Sequence, residues 1–267
     1  MFPQAIVVFF CHCARNMLHT NHIKLQIRAA ETINQENSMG KAPGKLPLPK
    51  FQTIALENAT IKRQNRTIFQ ALNFKVNRGE KVLIMAPSGF GKTTLLRTLQ
   101  NQILLEKGDY LYNGHPVTKF DKHAIAHLFS FIKQSPFMLS DTIRFNITLG
   151  QGYTDQEVME AAEHAGLAEL IREKGLDFQI GANGGNLSGG QLQRIEIARA
   201  LIRKRPILLA DELTSALDNR LSLQIHRTLF NLPITIIEAG HKLSQEEMQN
   251  YDHVIHLDTL EDSSVVM

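Results

Sequence analysis

Leu83-Ile84-Met85-Ala86-Pro87-Ser88-Gly89-Phe90-Gly91-Lys92-Thr93-Thr94 is the stretch from which the rest of the chain can be read. The apolar run 82–85 predicts a buried strand. Residues 93–100 hold no breaker and predict a helix opened by Lys92. The loop between them carries two glycines. Gly89 and Gly91 let the backbone curl so that successive N–H groups, including those of Ser88 and Phe90, face one anion after Pro87. The helix end adds partial positive charge and unengaged donors at Thr93 and Thr94. Lys92 suits the β- and γ-phosphates, and the Thr93 hydroxyl suits a magnesium ion. Ala86 stands where the usual G-x-x-x-x-G-K-[ST] pattern has its first glycine, so φ at residue 86 must be negative.

Working outward, 267 residues accommodate one large α/β domain or two small ones, and a 43% hydrophobic content excludes a globally disordered chain. The net charge of +3 gives no argument for a nucleic-acid partner. Cys11 and Cys13, with one residue between them, make a poor disulfide and half a metal site. Residues 2–14 are uncharged and mostly apolar, yet shorter than the roughly 20 residues of a spanning helix. Three readings stand for them. One is a secretory signal, against which the missing positive n-region counts. The others are a short helix packed on the domain, and the tail of a longer membrane helix.

Residues 22–33 place Ile23, Ile27, Ala30 and Ile33 near one helical face, and 34–50 read as a linker with Pro43, Pro47 and Pro49. The domain boundary therefore falls near residue 50. Residues 53–61 and 68–76 alternate and predict two strands of an antiparallel layer. A strand at 108–112 runs into Asn113-Gly114, a hairpin signal. Another strand is expected at 127–132, ending at Gln134. The pattern over 137–185 is helical, with a capping box at Thr154 and Glu157. Ser188 starts a long helix that Pro206 stops. A strand at 207–210, a helix at 216–230, a strand at 234–238, a second capping box at Ser244 and Glu247, and a last strand at 254–257 complete the series. Buried strands alternating with helices imply a parallel sheet covered on both faces.

Two further motifs carry chemistry. Four apolar residues place Asp211 at the C-terminal end of a buried strand, where α/β sheets bind ligands. Asp211 there can hold magnesium through water, and Glu212 can orient and deprotonate an attacking water. In Leu187-Ser188-Gly189-Gly190-Gln191, Ser188 caps the helix while Gly189 and Gly190 leave its N-terminus bare, a second anion-binding end.

The order of phosphate loop, Gln134, LSGGQ, ILLADE and a late histidine resembles the nucleotide-binding domain of ATP-binding cassette transporters over residues 53–258. The resemblance implies an α/β P-loop NTPase: a parallel sheet, an antiparallel β layer and an inserted α-helical subdomain at about 135–190. Residues 51–267 would form this domain, with 1–50 an N-terminal helical segment and linker, the remnant of a membrane domain. It implies that ATP lies on the loop, that Thr93, Gln134 and Asp211 approach Mg2+, that Glu212 is the general base and that His241 contacts the γ-phosphate. Ser215-Ala216-Leu217-Asp218 matches the segment that communicates between two sites of a dimer. Residues 188–191 would cover ATP held by a second cassette domain. Residues 142–150 and 211–218 are similar to the exporter branch, which implies a transmembrane transporter domain as partner and a place at the cytoplasmic face of the cell membrane. The sequence departs from the family at three places: Lys62 or Arg63 stands where many relatives stack an aromatic on adenine, Ala182 replaces a glutamate frequent in exporters, and the chain ends soon after Asp258. Ala86, the missing adenine aromatic and the short C-terminus favour a rival reading, a nucleotide-binding regulatory module with little or no hydrolysis, which the intact Lys92, Gln134, Glu212 and His241 oppose. A soluble cassette protein acting on ribosomes or cluster assembly is a second rival; ribosome-acting forms usually carry two cassettes.

Overall fold

The computed structural model describes residues 45–258 apart from 242 and 244, the backbone alone at Asn183, and the backbone of 265–266. The expectations for residues 2–14, 22–33 and most of 34–50, and the capping box at Ser244, lie outside the described residues.

Five strands form one all-parallel sheet: β3 (Lys81–Met85), β6 (Phe129–Ile132), β7 (Ile207–Asp211), β8 (Thr235–Gly240) and β9 (His253–His256). Their spatial order is β6-β7-β8-β3-β9. Every residue of β7 and β8 is buried, because helices or a second sheet cover both faces. The period-2 alternation of strand side chains divides them between two cores. Ile207, Leu209, Ile237 and Ala239 face one cluster; Leu208, Ala210 and Ile236 face the other.

The first cluster lies between this sheet and the second, antiparallel one, built from β1 (Thr53–Arg63), β2 (Arg66–Asn77), β4 (Lys107–Tyr112) and β5 (His115–Pro116), with β10 (Val265–Val266) running parallel along β2. Helix α1 (Lys92–Leu99) plugs the same core through Leu95, Leu96 and Leu99. The alternation expected of β1 breaks at Glu57 and Asn58. Both are exposed, Asn58 has φ 48°, and pairing with β4 shifts register there. A bulge adds a residue and returns Ala59 and Ile61 to the buried face. The Asn113-Gly114 hairpin forms as expected, with φ 50° and 76°. Asn113 Oδ1 accepts from the amides of Gln52 and Thr53, which ties the hairpin to the entry of β1.

The second cluster is helical. Helix α2 (Lys122–Ala126), capped by Asp121, precedes β6 and shortens it against the expected 127–132. After β6 come α3 (Ile143–Thr148), α4 (Asp155–His164) and α5 (Ala168–Lys174), then α6 (Gly189–Leu201). The Thr154–Glu157 capping box opens α4. Helix α7 (Asn219–Phe230) starts three residues later than the apolar pattern suggested, because the Asp218 carboxylate caps the Leu221 amide at 2.9 Å and residues 214–217 turn. A short α8 (Gln245–Met248) follows β8. Among the described residues no helix is long and apolar enough to cross a membrane.

The bulge gives a test of this account. Gly108 has φ 86°, and a Cβ there would sit 2.4 Å from the carbonyl oxygens of both Glu57 and Asn58. Gly114 has φ 76° but open space around it. Gly114→Ala is expected to lower unfolding free energy by about 1–2 kcal/mol, the cost of a left-handed side-chain residue. Gly108→Ala adds a backbone collision and should cost clearly more, about 3 kcal/mol or above. Equal urea midpoints for the two variants would contradict the packing of β4 on the bulge.

Candidate functional site

Three neighbouring strands and one more deliver the predicted residues to a single edge of the sheet. Gln134 follows β6, Asp211 and Glu212 end β7, His241 follows β8, and the glycine loop follows β3, which is next to β8. In a parallel sheet all four chain ends emerge on the same side.

The loop has the predicted geometry. Ala86 is buried and is not among the residues with positive φ, whereas Gly89 and Gly91 have φ 86° and 90°. A Cβ on Gly91 would meet Ile68 Cγ2 at 2.4 Å, so β2 fixes the loop from behind. Gly91 is also the N-cap of α1 and offers no side-chain cap. The first-turn amides of α1 are thus left for an acceptor other than the chain's own side chains. Lys92, 7% exposed, donates from Nζ to the carbonyls of Ala86 at 2.6 Å and Pro87 at 3.0 Å. The ammonium therefore lies over the loop with one donor to spare. Ser88 and Phe90 are exposed; Thr94 is buried in the helix base. Thr93 Oγ1 donates to Asp211 Oδ2 at 2.6 Å, so the hydroxyl and carboxylate named for magnesium are in contact.

Glu212 is the meeting point of the rest. Gln134 Nε2 donates to its Oε2 at 2.7 Å, and His241 Nδ1 lies 2.8 Å from its Oε1. A carboxylate only accepts, so Nδ1 carries the proton of this contact. The Glu212 backbone has φ 58°, which turns the side chain back over the sheet edge. Its amide donates to Ala239 O at 2.8 Å. The side chain of Glu212 and that of His241 line a cavity of about 270 Å³ with Thr214 and Ser215.

Residues 188–191 sit elsewhere. Ser188 Oγ accepts from the Gln191 amide at 3.2 Å and Gln191 Oε1 from the Ser188 amide at 2.8 Å, a reciprocal capping box. The cap thus engages the Gln191 amide, while Gly189 and Gly190 place no side chain over the helix end. Gly190 packs on the turn after Glu212, where a Cβ would lie 3.2 Å from Leu217 Cδ2. Among the described residues no hydrogen bond joins 188–191 to the loop 87–94 of the same chain. At the position expected for an adenine-stacking aromatic, Lys62 is instead paired with Glu106 at 2.9 Å.

Two features of the site escaped sequence reasoning. Gln193, fully buried, donates from Nε2 to Glu212 O at 3.1 Å and Leu213 O at 2.7 Å, and accepts from Ala216 N at 2.9 Å. It clamps the turn after Glu212 onto α6. Arg199, also on α6, donates to the carbonyls of Phe137 at 2.9 Å and Asn146 at 2.6 Å, which ties the segment after Gln134 to the same helix. Burial lowers the pKa of Arg199 and the adjoining Glu196 charge opposes that shift. The available signal was Gln193, Glu196 and Arg199 at three-residue spacing among the buried residues of one helix.

The family model described as ABC transporter matches residues 69–215. The multidrug resistance-like ATP-binding protein MdlA of Buchnera aphidicola subsp. Baizongia pistaciae is 36% identical over 203 residues, 74% of this chain and 35% of that protein. An ATP-dependent lipid A-core flippase of Burkholderia orbicola is 38% identical over 202 residues, again 74% of this chain and 34% of the relative. A solved structure described as a bacterial Atm1-family ABC exporter with ATP bound aligns with TM-score 0.76 and 29% identity, over 85% of this chain and 40% of that one. The chain thus spans about a third of the length of the curated relatives it matches.

Gln193→Leu keeps the volume of the clamp but strands the Ala216 amide and the Leu213 carbonyl in a dry environment. Unfolding free energy is expected to fall by about 1–3 kcal/mol, read by urea denaturation. A variant as stable as the native chain would show that the clamp carries no net energy.

Proposed function

The chain belongs to the ABC transporter family, and from that premise we propose that it binds ATP and hydrolyses it with magnesium, as the ATPase part of an exporter-like transporter. The observation that carries this reading is the carboxylate of Glu212, held between Gln134 at 2.7 Å and His241 at 2.8 Å beside the Thr93–Asp211 contact.

The chain's own groups divide the work. The curled loop 87–91 and the bare end of α1 offer amides to the phosphates, and Lys92 exchanges its bonds to the Ala86 and Pro87 carbonyls for phosphate oxygens. Thr93, Asp211 and Gln134 form an oxygen-rich donor set that fits Mg2+, which when bound neutralises phosphate charge. Asp211 belongs with Thr93 to the set for Mg2+, so Glu212 is the carboxylate left to take a proton from the attacking water, on a lone pair that its bonds to Gln134 and His241 do not use. Gln134 and His241 fix the rotamer of that carboxylate, and the His241 imidazole takes the γ-phosphate in this scheme.

The 188–191 helix end serves the nucleotide of a second cassette domain; in its own chain Gly190 packs on Leu217 and Ala216, and among the described residues no hydrogen bond joins the segment to the loop. Such a pair of domains, equal or different, closes around two ATP and drives a transmembrane transporter domain. The relatives match this chain over a third of their length, which supports a membrane part outside the residues aligned here. The location that follows is the cytoplasmic face of a membrane. Residues 51–267 act as the ATPase domain with the helices of about 135–190 as its insert, and residues 1–50 lead toward the membrane part. No nucleic acid enters this scheme. The regulatory-module alternative draws no support from the named relatives.

Glu212→Gln removes the proton acceptor at nearly unchanged size and keeps one acceptor oxygen for Gln134 or His241. The expected result is a kcat reduced about 10²–10⁴-fold with ATP affinity retained, whereas Lys92→Ala loses most ATP affinity in titration calorimetry. Native turnover in Glu212→Gln would overturn the assignment of the base, and unchanged binding in Lys92→Ala the assignment of the loop.

A further inference from the structure

Strand β8 reads Thr-Ile-Ile-Glu-Ala-Gly and all six residues are buried. Glu238, 1% exposed, is a carboxylate in a strand whose place in the sheet calls for an aliphatic side chain. Its Oε2 accepts from the Tyr251 hydroxyl at 2.6 Å and lies 3.1 Å from His226 Nε2. His226 is fully buried on α7. Its Nδ1 is 3.1 Å from the Ser222 carbonyl, which only accepts, so that nitrogen is protonated. One further proton is then shared between Nε2 and Oε2, and the pair is a directional, charge-assisted contact. Burial by itself would lower the pKa of His226. The hydrogen bond to Glu238 and the charges of Glu238 and Glu247 outweigh it, so the net shift is upward and the imidazolium is favoured.

The pair joins a chain of contacts behind the site. Ser222 Oγ donates to Glu247 Oε1 on α8 at 2.5 Å and shares a hydrogen bond with Thr214 Oγ1 at 2.8 Å. Thr214 is two residues past Glu212; Glu238 is three residues before His241; α8 begins four residues after it. Both catalytic segments are therefore rooted on α7, at Ser222 and His226. Ser222, Glu238 and Glu247 line the same 270 Å³ cavity as Glu212 and His241.

We propose that the buried Glu238–His226 pair is a positioning unit for hydrolysis, tying the end of β8 to α7, to which Ser222 ties the turn after β7, so that His241 stays on the Glu212 carboxylate. The inference rests on the hydrolytic reading above. Neither residue touches the reacting atoms; each acts through His241 and Glu212. An aliphatic pair would fill the space but would not fix the direction of the strand end, since packing alone is non-directional.

The test measures kcat, KM, affinity for a fluorescent ATP analogue and thermal midpoint in the full chain. The variants are Glu238→Gln, Tyr251→Phe, the apolar double variant Glu238→Leu/His226→Leu, and Glu212→Gln as reference. Glu238→Gln should lower kcat about 10–100-fold, as misplacement of a reacting group does, with KM and nucleotide affinity unchanged. The double variant, whose one stranded donor is the Tyr251 hydroxyl, should lose little of the midpoint yet not recover kcat, a separation that a purely stabilising role would not give. Tyr251→Phe, the mildest change, should lower kcat in the same direction should the others fail to fold. Native kcat in any folded variant of the pair, while Glu212→Gln is inactive, overturns this inference alone. A native chain without turnover overturns the hydrolytic reading and this inference together.

Discussion

Glu212 holds a left-handed backbone, φ 58°, at the end of a strand buried on both faces, and the site depends on that one conformation. A residue with a side chain gives up about 1–2 kcal/mol to adopt it. The surroundings over-determine it. The amide is bonded to Ala239 O on the neighbouring strand, the carbonyl to Gln193 on α6, and the carboxylate to Gln134 and His241. Extended geometry at the same position would continue the strand and carry the carboxylate away from Gln134. Strain of this kind is retained where a reacting group must be aimed.

The strand order makes the aim achievable. β6, β7, β8 and β3 are consecutive neighbours, so Gln134, Asp211, His241 and the glycine loop leave the sheet side by side. The sheet cannot shear, because alternate side chains of β7 and β8 lock into separate cores on its two faces. At the opposite end of the sheet, buried Lys81 donates to the carbonyls of Leu232 and Ile234 and fixes the start of β3 against the entry to β8. Helix α6 then couples the two halves of the scheme. It carries the capped end at Ser188 and, through Gln193 and Arg199, holds the turn after Glu212 and the segment after Gln134.

What the sequence made legible follows from locality. The strand–loop–helix around Lys92 needs only neighbouring residues: an apolar run, two glycines at positive φ and a helix without breakers. The buried strands showed as continuous apolar runs, and Thr154–Glu157 and Asn113–Gly114 carry their geometry within four residues. Misses came where contacts are long-range or segments short. The bulge at Asn58 is set by pairing with Lys107 and Gly108, far along the chain. Helix α2 is too short for a periodic signal. The apolar pattern starts α7 three residues too early because Ala216 and Leu217 look helical, while the Asp218 cap overrides them. The contact of Glu212 with His241 spans chain ends that only the sheet order brings together. Glu238 ends the strand expected at 234–238, whereas β8 runs on to Gly240 and buries it, and its partners His226 and Tyr251 come from other elements.

The central claim is that one chain's loop and Glu212 act on an ATP that a second cassette domain completes. The most direct measurement is the structure of the Glu212→Gln chain with Mg·ATP at high protein concentration. The account predicts a pair of chains with Lys92 Nζ withdrawn from the Ala86 and Pro87 carbonyls onto the phosphates, Thr93 and Gln134 at the metal, His241 at the γ-phosphate, and Ser188–Gln191 of the second chain over the nucleotide. A nucleotide bound away from the loop, or a γ-phosphate reached by residues 188–191 of its own chain, would contradict it.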